Sequence, residues 1–151
     1  MKEALSHVDE AGAARMVDVS GKSRSRRTAK AIGRVDLAPA TLELVRRNAL
    51  QKGDVLATAR IAGIMAAKKA SELIPLCHNI EIEQVAVDLD LDPAGIAIVA
   101  TAVCSDKTGI EMEALTAVSI AALTVYDMCK AVDKAMVIRE IRLVEKTKEG
   151  E

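Results

Sequence analysis

Apolar and polar positions change their period several times along the chain, and each change marks an element. Residues 28–37 alternate as a strand does. Pro39 opens a short helix over 39–49, in Pro-Ala-Thr-Leu-Glu-Leu-Val-Arg-Arg-Asn, since proline is tolerated in a first helical turn. Gly53-Asp54 starts a longer helix, with Asp54 as N-cap, that runs through alanine-rich turns to about residue 73 and is closed by Pro75. Two alternating runs, 80–91 and 96–104, read as strands joined by the turn signal Asp92-Pro93-Ala94-Gly95. Thr108 followed three residues later by Glu111 has the spacing of a capping box, so a long helix begins there and covers 109–132. Residues 136–144 make a last strand. The order strand, helices, strand, strand, helix, strand is the split βαβ arrangement: an α+β ferredoxin-like sandwich, an antiparallel sheet with helices packed on one face.

The chain has 151 residues, half of them apolar and 28% charged, which suits one globular domain with a true core. One Tyr and no Phe or Trp leave that core to Ala, Val, Ile, Leu and Met, with small residues that let helices approach closely. The same lack removes the stacking platforms on which single-stranded nucleic-acid binders rely. Net charge is −1, so no overall field draws nucleic acid or a membrane. Residues 15–34 nevertheless hold seven cations against Asp18 alone. The expected organisation is a flexible basic N-terminal arm, 1–25, and a single catalytic domain, 26–151. Cys77, Cys104 and Cys129 form no CxxC pair, which points to a reducing compartment rather than a disulfide framework or zinc ribbon. No signal-peptide pattern opens the chain, and the apolar run 114–126 is too short for a bilayer. These features imply a cytoplasmic protein.

The chemistry concentrates on the long helix. Its middle is small and apolar, yet it carries Glu111, Glu113, Asp127 and Lys130, each of which needs a partner if buried. Lys130 follows Asp127 at i,i+3, so the two side chains can meet. Taken alone, that spacing is satisfied equally by an ion pair on a solvated helix end. From Glu113 to Asp127 is nearly four turns, about 21 Å, so one helix cannot bring both to one atom. Lys52, just before the Gly53-Asp54 helix start, reads alone as a loop lysine. Helix N-termini attract anions, though, and a lysine there would reinforce a phosphate site. Cys77 and His78 follow Pro75 at a strand start, where adjacent side chains face opposite sides and make a poor pair of metal ligands. Cys104 and Cys129 read as core sulfurs.

Several of these stretches occur together in one known family. Met16-Val17-Asp18-Val19-Ser20, the run from Gly53 to Ile64, Leu73-Ile74-Pro75-Leu76-Cys77-His78, Lys107 through Leu115 and Tyr126-Asp127-Met128-Cys129-Lys130 resemble the MoaC family over nearly the whole chain. Two positions depart from its pattern: Asp106 replaces a usual glycine and Asn79 a usual proline. The resemblance implies a lyase of molybdenum cofactor biosynthesis. It would convert 3′,8-cyclo-7,8-dihydroguanosine triphosphate to cyclic pyranopterin monophosphate with release of pyrophosphate. By the family pattern Asp127, Lys130 and Lys52 are catalytic. Leu76, Cys77, His78, Met112, Glu113 and Glu111 contact substrate, and Arg27 and Lys22 its triphosphate. The pattern also implies a homohexamer, three dimers, with sites at subunit interfaces.

That chemistry asks for proton transfer and charge neutralisation. A lysine in an apolar pocket beside other cations is expected to have a lowered pKa and to serve as acid or base near neutrality. Glu113 could accept both N–H groups of a guanine edge. No glycine fingerprint for flavin or nicotinamide and no cluster-ligand cysteines occur, so no cofactor is expected beyond Mg²⁺ arriving with the substrate phosphates. Two other classes remain open: a non-catalytic purine-nucleotide-binding module of the same fold, and an RNA-binding domain, against which the missing aromatics count.

Overall fold

In β1, Ser25–Asp36, the residues Ala29, Ala31, Gly33 and Val35 are buried and those between them are only half-buried, the period of a strand with one face on a core. The computed structural model describes residues 7–150; the first six residues of the predicted arm and Glu151 lie outside them. Pro39 starts α1, Pro39–Arg46. α2 spans Val55–Lys68, and the Asp54 carboxylate caps it by accepting the Ala57 N–H. Gly53 before it holds φ at +96°, a conformation glycine enters without steric cost. A short α3, Ala70–Leu73, follows. β2, Ile82–Asp92, and β3, Gly95–Asp106, are joined through a turn in which Asp92 accepts the N–H groups of Ala94 and Gly95. α4, Glu111–Cys129, and β4, Val137–Lys148, complete the domain.

The sheet order is β2-β3-β1-β4 with every neighbouring pair antiparallel. This is the expected ferredoxin-like α+β topology. α2 packs on α4 and β2, and α4 lies across β1, β3 and β4. Ala114, Ala117, Val118, Ala121, Ala122 and Val125 of α4 are fully buried against Ile96, Ile98, Ala100 and Ala102 of β3 and their β1 neighbours. Gly63 makes the close helix crossing possible: a Cβ there would sit 2.9 Å from the Ala117 carbonyl oxygen. α4 is 19 residues long with mean hydropathy 1.3, enough by length and composition to cross a membrane, contrary to the short run expected. Here its apolar side is taken up by the sheet and α2.

Five local expectations give way. The helix drawn over 54–73 breaks at Lys69 (φ −111°, ψ 9°), where the Lys69 N–H tightens onto Ala66 and the redirected chain buries Ala70. The capping box does not form. Ile110 stands at the N-cap without a side-chain cap, and the Glu111 carboxylate pairs instead with Lys146 of β4, because a cation from another element competes for it. α4 stops at Cys129, three residues short of its expected end, where Val132 and Asp133 N–H groups both take the Cys129 carbonyl. Cys77 and His78 lie in the turn and loop after α3, not in a strand, which starts only at Ile82. β4 also runs past residue 144 to Lys148 because pairing with β1 continues through Thr28↔Thr147 and Arg27↔Lys148.

Candidate functional site

At the C-terminal end of α4, three charged side chains from two separate elements meet. Asp127 lies in the last turn and Lys130 is the C-cap residue, so their i,i+3 spacing puts the Lys130 Nζ 2.7 Å from Asp127 Oδ1. Lys52 arrives from the turn that Gly53 closes, and its Nζ lies 2.8 Å from Asp127 Oδ2. It also donates to the Asp127 carbonyl oxygen at 3.1 Å, one of the carbonyls a helix end leaves without an internal partner. The cluster carries two positive charges on one negative and stays about half exposed, at 47% for Lys52, 54% for Asp127 and 57% for Lys130.

The electrostatics follow from that pairing. Hydrogen bonds from Lys130 and then Lys52 hold the Asp127 carboxyl down to about 2. The same bond to Asp127 raises Lys130. This overturns the expectation of a lowered lysine pKa: Lys130 sits on a solvated helix end next to an anion, so its charged form is favoured rather than desolvated. In this arrangement Lys130 is an ammonium, fit to donate a proton or neutralise an oxyanion.

A second cluster surrounds the other end of α4. A cavity of about 390 Å³ is lined by Leu76, Cys77 and His78 from the loop after α3, by Glu111, Met112 and Glu113 from the first turn of α4, and by Lys22 from the N-terminal segment. Seven of the eight residues inferred to contact substrate thus face one space. Glu113 is only 3% exposed, and its Oε2 has no hydrogen-bond partner among the described residues. Burial pushes its carboxyl up, with Glu111 adding to the effect. Burial, then Glu113, raise the Cys77 thiol, which opposes a thiolate nucleophile there. Cys104 and Cys129 are fully buried and raised to about 11 by desolvation, in keeping with core sulfurs.

Arg27 is the eighth, and it stands apart. Its Nε donates to the Asp106 carbonyl at 3.1 Å and a terminal nitrogen to the Lys107 carbonyl at 3.3 Å. It lines a neighbouring open groove of about 760 Å³ with Lys146 and Lys148, and Lys22 borders both spaces. Several participants were not named from the sequence. His7, Val17 and Val19 wall the cavity, and Lys146 reaches Glu111 from β4. The motif around Met16–Ser20 was the available signal for Val17 and Val19; nothing local marked His7 or Lys146. The Lys52–Asp127–Lys130 cluster and the cavity do not meet within this chain, since α4 separates them by about 21 Å of helix rise between Glu113 and Asp127. Among the described residues, no three His, Cys, Asp or Glu side chains gather as a metal cage.

Fold and side chains together make a small ferredoxin-like α+β protein with a lysine–aspartate cluster at one end of its core helix and a cavity of mixed lining at the other. The model of the MoaC family matches residues 16–149. A cyclic pyranopterin monophosphate synthase of Streptomyces avermitilis is 58% identical over 146 residues, covering 97% of this chain and 86% of the relative. The protein of the same name from Chloroflexus aggregans is 60% identical over 144 residues, 94% of this chain and 87% of its own. Cyclic pyranopterin monophosphate synthase 3 of Mycobacterium tuberculosis is 58% identical over 146 residues, with 95% and 81% covered. This chain belongs to the MoaC family.

Proposed function

We propose that the chain carries out the reaction for which these relatives are named. It is a lyase of molybdenum cofactor biosynthesis that turns the cyclised, GTP-derived triphosphate into cyclic pyranopterin monophosphate and pyrophosphate. The observation that carries the site assignment is the convergence on Asp127 of Lys130, its i,i+3 neighbour, and Lys52, 75 residues away in the chain. In this reading the purine-derived ring enters the cavity and its N–H edge faces Glu113. Lys22 neutralises the phosphates, with the cations of the adjoining groove beside it. Lys130 donates a proton to a departing nitrogen or oxygen, Asp127 holds the lysine in place, and Lys52 neutralises the anion that forms. Positioned groups of this kind contribute about 10²–10⁴-fold each. Mg²⁺, where it takes part, comes with the substrate's own phosphates.

Because the cluster and the cavity occupy opposite ends of α4, one substrate reaches both only if two subunits share a site. A homo-oligomer, a hexamer built as three dimers, meets that need. Exposed apolar side chains on the helical face, Ile61, Met65, Leu73 and Leu123, each 53–56% exposed, support association. The direct test uses purified, folded Asp127→Ala and Lys130→Ala variants. Each should lose at least about 10²-fold in conversion of the cyclised substrate; full activity in either removes the assignment.

A further inference from the structure

One wall of the cavity is made by a segment with no strand or helix of its own. Residues 15–24 form only a turn, with the Lys22 N–H on Val19, yet they supply Val17, Val19 and Lys22 to the cavity. Backbone without a ladder needs other partners for its carbonyl groups. The core supplies two. The Lys107 Nζ donates to the Ser20 carbonyl oxygen at 2.9 Å, and the His78 ring Nε2 lies 2.6 Å from the Val17 carbonyl oxygen. The segment is shaped to receive them, because Asp18 accepts the Ser20 N–H at 2.8 Å and so folds a tight turn around the carbonyl that Lys107 takes.

Lys107 is itself held from two directions. Arg27 donates to the carbonyls of Asp106 and Lys107, and the Asp106 carboxylate accepts the Lys107 N–H at 2.8 Å. The β3–α4 turn is therefore a fixed anchor on β1, and Lys107 extends from it to the N-terminal segment. Charge-assisted bonds to backbone carbonyls are among the stronger ones.

We propose that Lys107 is a positioning residue that clasps residues 17–20 to the core, sets the cavity wall and thereby places Lys22 against the substrate's phosphates. The last step rests on the synthase reading; the clasp itself does not. The alternative role for such a lysine is direct phosphate binding, and the two differ in what its loss does to the segment.

Amide hydrogen exchange on the full chain without ligand reads the clasp directly. In Lys107→Met, exchange over residues 15–24 should rise about tenfold or more, the scale of one lost charge-assisted bond, while α4 and the sheet stay as in the parent. Lys107→Arg, whose guanidinium still reaches the Ser20 carbonyl, should restore much of the protection. With the cyclised substrate, Lys107→Met should raise KM about tenfold and leave kcat within about twofold, as loss of uniform binding does. Unchanged exchange in Lys107→Met overturns the proposal. If inorganic pyrophosphate binding weakens as well, Lys107 is a phosphate ligand instead. A rise spread evenly over the whole chain also overturns it, since the lysine would then act on global stability. Because exchange needs no substrate, failure of the clasp is separable from failure of the synthase assignment.

Discussion

Glu113 is the residue whose environment is most at odds with its charge. A carboxylate at 3% exposure, without a partner for Oε2 among the described residues, carries a desolvation cost of about 1–3 kcal/mol. Its folded pKa is raised above the ordinary 4.5 by burial, so folding is penalised only where the unfolded chain would be ionised. The penalty is absent below about 4.5 and grows as pH rises toward and through the folded value. Glu113→Gln should therefore raise the urea midpoint at pH 7 and lose that advantage on acidification to about pH 4. A variant less stable than the parent at pH 7 would mean that the ionised group has a partner. Asp127 behaves oppositely: with its carboxyl held down to about 2 by Lys130 and Lys52, it stays charged at any pH where the fold would be assayed. An acid limb in the activity profile then has to come from another group.

At the level of elements, the crossing of α2 over α4 sets where Lys52 and Asp127 stand. Gly63 lets α2 approach the Ala117 carbonyl and Val87, and the turn that begins α2 carries Lys52. Gly63→Ala sets two effects against each other. Helix propensity favours alanine by about 1 kcal/mol, while overpacking against a backbone oxygen and two methyl groups costs about 1–3 kcal/mol. The contact is with a buried helix backbone that cannot easily yield, so the second effect wins. The expected result is a lower Tm, read by thermal unfolding. A higher Tm would show that the helices have room to spare. α4 illustrates a different lesson. The small residues that suit it to a bilayer by composition are the ones that let it lie flat on β1 and β3 in this fold.

For the whole molecule, the distance along α4 is the decisive quantity. Glu113 and Asp127 are about 21 Å apart in rise, with the cavity at one end and the lysine–aspartate cluster at the other. If substrate handling needs both, Glu113→Ala and Asp127→Ala destroy different halves of a shared site. Mixing the two inactive proteins under conditions of subunit exchange should then restore part of the activity. Mixed oligomers that form but remain inactive would show that each subunit works alone.

The chain's periodicity by itself determined the element order, the Asp54 cap and the Asp92–Gly95 turn. These rest on interactions within a few residues, and the two periods differ too much to be confused. It also determined the Asp127–Lys130 pair, because i,i+3 neighbours on a helix meet whatever surrounds them. What it left open depends on which elements lie side by side. Lys52 joins Asp127 across 75 residues, Lys146 takes Glu111 from the capping box, and Lys107 and His78 hold a segment that has no ladder. Even the lysine's acidity was decided this way. The hydrogen bond to the adjacent Asp127 carboxylate raises Lys130 at this exposed helix end, where a pocket of cations would have lowered it, and only packing determines which of those surroundings a side chain receives.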